Sequence, residues 1–158
     1  MEDPFRQTID RIDLKILRAL QHDGRLSNAD LAQKVHVSAA TCHRRTQRLF
    51  EQGIITDVRA RVEPARVNLG ALVMVGAVLD RSTPDSFAAF EAAVLTMPSV
   101  LECILVAGDF DYLLKIRVGD MKDFNRLHGE QLITLPGVRQ IRTFFAIKEV
   151  KDGTPLPI

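Results

Sequence analysis

The sequence predicts an α+β chain in two parts, a winged helix-turn-helix of three short helices followed by a strand-helix-strand unit that occurs twice. Three observations carry this. Apolar residues recur at helical spacing between cap residues as far as about Gln52, and a Val- and Leu-rich texture bounded by turn residues begins after Ala65. The motif Thr-x-Pro-x-Val appears twice, at 96–100 and at 134–138. The expected domains are residues 1–64 and 65–158.

Ile9, Ile12, Ile16, Leu17 and Leu20 form the apolar stripe of a first helix, with Asp10 as N-cap and Asp13 near its positive end. His22, Asp23 and Gly24 stop it. Ser27 and Asp30 resemble a capping box with Asp in place of Glu, and Leu26 can staple onto Leu31, so a second helix runs from Asn28 to about Val35. His36 and Val37 leave room only for a tight turn before Ser38, the N-cap of a third helix that Gly53 terminates. At about 100° per residue, Cys42, Thr46 and Leu49 share the inward face of that helix. Ala40, His43, Arg44, Gln47 and Arg48 share the outward one, and Arg45 lies nearer the buried edge. Arg59 and Arg61 alternate on an extended stretch that serves as the wing.

In the second part, the segment LVMVGAVL is apolar on both strand faces, so both need cover: one from helices of its own domain, the other from a partner sheet. Thr83 and Pro84 open a helix with Phe87, Phe90, Val94 and Met97 as its buried stripe, ending at Pro98. A strand over Val100–Ala107 turns through Gly108, Asp109 and Phe110 into another over Asp111–Val118. Asp120 or Gly119 caps a helix with Phe124, Leu127 and Leu132 inward, and the last strand runs from Val138 to about Val150. The order is that of a ferredoxin-like βαββαβ domain.

The bulk properties exclude several classes of function. A formal charge of +1 over 158 residues makes any nucleic-acid contact a matter of local placement. Two cysteines without a CxxC and without a signal-peptide core indicate a reducing cytoplasm rather than a secreted disulfide framework. The longest apolar run, Ala71 to Leu79, is about half of what a spanning helix needs, so no membrane role is expected. There is no P-loop, Rossmann fingerprint, metal-ligand spacing or serine-nucleophile motif, and neither a catalytic residue nor a cofactor or metal is expected.

What remains is the third helix. Small residues at its start allow close approach to phosphates and base edges, and Arg44 and Gln47 carry donors that suit guanine and adenine in the major groove of double-stranded DNA. A solvated basic face is the simpler alternative. The tight turn between two capped helices favours DNA binding. His43 is either a groove contact or a solvent-exposed spacer, and Arg45 either snorkels to phosphate or holds the turn.

The strings IDRIDLKILRALQHDGRLSNADLA, SAATCHRRTQRLFEQGII and GDFDYLLKIRV, in this order and spacing, resemble the Lrp/AsnC (leucine-responsive/asparagine, feast/famine) family of transcription regulators across nearly the whole chain. That resemblance implies a second domain of the RAM type, a homodimer assembling further to an octamer, and an amino-acid effector bound between dimers. It also implies site residues. The DNA readers would be Ser38, Ala39, Ala40, Thr41, His43, Arg44, Arg45, Gln47 and Arg48, and the effector loop Gly108, Asp109, Asp111 and Tyr112. A glycine turn can offer N–H groups to a carboxylate and an Asp can hold an ammonium, though the same loop is equally an ordinary hairpin turn. Ala39 and Thr41 stand where many relatives have proline, which affects base preference rather than docking. Two other functions share the architecture: an effector-free architectural DNA-binding protein, and a sirohaem decarboxylase, which the lone second-domain histidine, His128, disfavours.

Overall fold

The computed structural model describes residues 9–158. Residues 1–8, which open the first expected domain and bear on the expected lack of a leader, lie outside the described residues. The chain forms two compact units. One comprises residues up to Arg61 together with Lys151–Ile158, the other Val62–Val150.

The first unit is built from α1 (Arg11–His22), α2 (Asn28–Val35) and α3 (Ala39–Glu51). Each begins at a side-chain cap, because the first N–H groups of a helix have no partner of their own. The Asp10 carboxylate accepts the N–H groups of Ile12 and Asp13 at 2.8 and 2.9 Å, and the Asp13 carboxylate accepts the N–H of Asp10 at 3.1 Å, a complete capping box. Ser27 accepts the N–H of Asp30, but the Asp30 carboxylate takes the Ser27 hydroxyl at 2.6 Å, so this box closes side chain to side chain. His36, at φ 61°, turns the chain sharply out of α2, and Ser38 caps α3 through the N–H of Thr41. Ile16, Leu17, Leu31, Ala32, Val35, Cys42 and Leu49 form the buried core between the helices. Residues 56–63 form neither helix nor strand, so the expected wing is an irregular segment without a β-ladder. Its Arg59 and Arg61 are paired with Asp57 and Asp152.

The second unit is a four-stranded antiparallel sheet of β1 (Ala71–Leu79), β2 (Val100–Leu105), β3 (Tyr112–Val118) and β4 (Val138–Phe145), in the order β2-β3-β1-β4. Helices α4 (Pro84–Val94) and α5 (Met121–Glu130), capped by Thr83 and Asp120, complete the βαββαβ order of a ferredoxin-like domain. The repeated motif has a structural meaning. Met97 and Leu135 are its buried residues, and Val100 and Val138 open β2 and β4.

One sheet face closes the core. Val73, Val75, Ala77 and Leu79 pack with Leu114, Ile116 and Val118 against Phe90, Val94, Phe124 and Leu127. The opposite face of β1 carries Leu72, Met74, Gly76 and Val78, and Phe110 lies so close over Gly76 that an added Cβ would stand 2.5 Å from its ring. Phe110 meets Phe144 edge to face at 6.3 Å and sits under the Arg142 guanidinium at 5.8 Å. Phe144 itself stays 51% exposed, so the chain covers this face only in part.

Two strands end earlier than expected. β2 stops at Leu105 rather than Ala107 because the turn begins once Val106 has bonded to Asp111. β4 stops at Phe145 rather than near Val150: Ala146 donates to the Leu72 carbonyl, and β1 has almost no backbone left to pair. Beyond it, Glu149 turns to Lys115 and Arg117.

Candidate functional site

Two places hold the residues that the sequence singles out, one on α3 and one at the β2–β3 turn. On α3, Ser38, Ala39, Ala40, His43, Arg44 and Gln47 are exposed, and Thr41 is half-buried, its hydroxyl accepting from the Ser38 hydroxyl at 2.9 Å. The side-chain amide of Asn28 donates to the Ala39 carbonyl at 2.9 Å, which ties the start of α2 to the start of α3. This arrangement presents a helix start with short side chains and long donors one turn farther on.

Arg45 and Arg48 behave differently. Arg45 donates to Asp10 at 2.7 Å and to Asp13 at 2.9 Å, and Arg48 donates to Asp13 at 2.6 Å. The Asp13 carboxylate is fully buried. Three donors, one from α1's own cap and two from α3, therefore satisfy it and lock the two helices together. The carboxylates of Asp10 and Asp13 in turn hold the Arg45 guanidinium more firmly protonated than usual. Helical-wheel geometry did not reveal this anchor, because Asp13 looks like a residue placed for the helix dipole. The signal available was its i+3 spacing from Asp10, which completes the box and turns the carboxylate inward.

At the turn, Gly108 and Asp109 are exposed, and the neighbouring polar residues are engaged within the fold. Asp111 accepts the N–H of Leu79 at 2.8 Å and lies 3.4 Å from the Ser82 hydroxyl, while its own N–H donates to the Ala77 carbonyl. It thereby caps the end of β1. Tyr112 is buried, stacked on Phe90 with centroids 4.5 Å apart and edge-on to Phe87, and its hydroxyl donates to Glu91 at 2.6 Å. Burial, then the Glu91 carboxylate, push its hydroxyl pKa up. The backbone of residues 108–111 is thus held from both sides, with Gly108 and Asp109 free to meet a ligand. Among the described residues no group of His, Cys, Asp and Glu is arranged to hold a metal ion, and no helix is long and apolar enough to cross a membrane.

A capped helix-turn-helix joined to a ferredoxin-like domain with an exposed glycine turn defines a DNA-binding regulator with a ligand-binding domain, and comparison with known proteins agrees. Residues 9–49 match the AsnC-type helix-turn-helix domain and residues 72–156 the Lrp/AsnC ligand binding domain. The leucine-responsive regulatory protein of Haemophilus influenzae is 44% identical over 152 residues, which cover 96% of this chain and 92% of that protein. A transcriptional regulator of Neisseria meningitidis, solved as a complex with L-methionine, superposes with a TM-score of 0.89 at 36% identity, covering 95% of this chain and 97% of its own. The feast or famine regulatory protein of Mycobacterium tuberculosis, also with L-methionine, gives 0.83 at 26% identity over 91% and 95%. The chain belongs to the Lrp/AsnC family of transcription regulators.

Two outcomes test the helix anchor. Replacing Arg45 and Arg48 together by Ala leaves the buried Asp13 carboxylate with one of its three donors and should cost about 3 to 5 kcal/mol in the unfolding of the helical unit, read from urea titration by helix dichroism. A loss below about 1 kcal/mol would show that the pair is not what joins α1 to α3. The second concerns pH. The backbone N–H of Asp13, followed by the Arg45 guanidinium, lowers the Asp10 carboxyl from 3.8 to about 2. A lowered folded-state value favours the charged form, so its stabilisation is complete above 3.8 and is lost as pH falls towards 2. Asp10→Asn keeps a capping oxygen but no titration, and its acid unfolding curve should be flatter in that window. An unchanged curve would assign the acid sensitivity to other carboxylates.

Proposed function

We propose that the chain is a sequence-specific regulator without catalytic activity, working in the cytoplasm as a homodimer that assembles further to an octamer, its DNA affinity set by a small amino acid. Residues 1–64 bind double-stranded DNA, and residues 65–158 bind the effector and assemble the oligomer, except that Lys151–Ile158 packs with the helical unit. The observation that carries this is the division of labour on α3. Arg45 and Arg48 are fixed to Asp13, which leaves His43, Arg44 and Gln47 projecting from a helix that cannot easily shift. Placed in a major groove, the exposed start of α3 from Ser38 to Thr41 lies against phosphates, and Arg44 and Gln47 reach base edges. Arg45 and Arg48 serve mainly as anchors, with their outer edges towards the backbone. Two such helices in a dimer would enter successive grooves about 34 to 36 Å apart.

The partly covered sheet face, with Met74, Leu113 and the half-exposed Phe144, supports dimerisation by a second copy of this domain. For the effector, the support is the exposed turn at Gly108 and Asp109, held by Asp111 and Tyr112, together with the methionine complexes of the two structural relatives. A ligand acts here only by favouring one assembly over another. That the named relatives are regulators favours this role over decarboxylation of sirohaem.

Arg44→Ala should weaken binding to a selected site by about 1 to 3 kcal/mol and relax preference at one base, measured by site selection and titration. Equal weakening on every sequence would make Arg44 a phosphate contact instead. In a thermal-shift screen of the twenty amino acids, one chemical class at about 100 times its dissociation constant should stabilise the protein by about 2.7 kcal/mol. Asp109→Ala should remove that shift and leave the unliganded melting temperature unchanged. If no amino acid shifts the transition, the effector-free architectural role is the better account.

A further inference from the structure

The helical unit carries a second basic surface, away from the outward face of α3. Arg11, Lys15, Arg18 and His22 stand at i, i+4, i+7 and i+11 of α1, which places them in one exposed stripe along the helix. Lys34 and His36, at the end of α2, face the same hollow. With Lys15, Arg18 and His22 they line a cavity of about 380 Å³ whose floor is Ala19 and Val35. No acidic side chain lines it.

The acids of these helices are engaged elsewhere. Asp10 and Asp13 hold Arg45 and Arg48, Asp30 holds the Ser27 hydroxyl, and Asp23, which feels the charge of Lys34, is bonded to Arg25. Among the described residues, no acidic side chain pairs with Lys15, His22, Lys34 or His36. Arg18 donates through Nε to a main-chain oxygen of Ile158, which leaves the outer edge of its guanidinium. A run of like charges at helical i,i+4 spacing costs the folded unit some stability, which an external anion would offset.

Shape decides which anion. Lys15, Arg18, His22, Lys34 and His36 meet at the hollow, but Arg11 lies beyond it, so from Arg11 to His22 the donors run on along the helix for about 16 Å, at ~1.5 Å per residue, farther than one small phosphate reaches. That is roughly half a turn of duplex, ~34 Å. The surface also begins at the right place, because His36 precedes Ser38, the cap of α3, by two residues. We propose that this α1–α2 surface grips the sugar-phosphate backbone of duplex DNA, without reading sequence, outside the groove that α3 occupies. The inference rests on the assignment of α3 to the major groove, but it assigns a separate set of residues to a separate part of the duplex.

The test uses the full chain, on a selected binding site and on a random duplex of equal length, across a series of salt concentrations. In the double variant Lys15→Gln, Lys34→Gln the slope of log affinity against log salt should fall by about 1.8 for each helical unit on the duplex, that is ~0.9 for each phosphate no longer neutralised and about 3.6 for a bound dimer, and by the same amount on both duplexes. Lys15→Arg, Lys34→Arg should restore it, which separates charge from folding. An unchanged slope overturns the proposal, as does a weakening confined to the selected site. So does a double glutamine variant that binds DNA normally but loses the inorganic polyphosphate binding of the unaltered chain, since the surface then serves another polyanion. Arg44→Ala run alongside keeps the two assignments apart. If it changes neither affinity nor sequence preference, the α3 assignment fails, while the lysine variants on random DNA still decide this one.

Discussion

A carboxylate removed from water is unstable unless both its oxygens find donors, and Asp13 is the residue on which the helical unit settles that requirement. Its two oxygens face the N–H of Asp10 and the guanidinium groups of Arg45 and Arg48, so α1 supplies the charge and α3 most of its compensation. Neither helix can rotate without stranding a buried ion. An apolar contact between the same helices would tolerate sliding by a fraction of a turn, and this one does not. The precision matters because the exposed groups on α3 act at a distance from their own backbone, where a small rotation of the helix becomes a large displacement of a guanidinium. Preorganisation of this kind lowers the ordering cost of binding rather than adding contacts to it.

The ferredoxin-like unit uses the same device at its turn. Asp111 replaces a missing ladder partner for the N–H of Leu79, and Tyr112 uses a buried hydroxyl to hold Glu91 of α4. The result is a turn whose ends are pinned to β1 and to a helix, with a short exposed segment between them. What the turn exposes and what shapes it are therefore different residues, although they are adjacent in the chain.

Most of the architecture was legible because it is written in local signals. Caps at Asp10, Ser27, Ser38 and Thr83, the stop at Gly53, and the repeated Thr-x-Pro-x-Val each mark an element boundary within a few residues. The features that local signals do not show depend on partners distant in sequence. Strand β4 ends where β1 runs out, a fact about residues about 70 positions away. Arg48 points outward by helical angle, yet its length lets it fold back to a carboxylate 35 residues earlier. Tyr112 could have been placed from its own strand, since it alternates with Leu114, Ile116 and Val118 and so shares their buried face.

The C-terminal segment has a consequence for how the molecule is made. Leu156 and Ile158 line an apolar hollow with Leu14, Leu17, Leu20, Ile54, Ile55 and Val58, and the Leu156 N–H donates to Gln21 at 2.6 Å across a separation of 135 residues. During synthesis the three helices emerge first and can form on their own local signals, but this hollow must wait until the whole sheet domain has been translated. For that interval the nascent chain carries a sticky, incompletely closed helical unit on the ribosome.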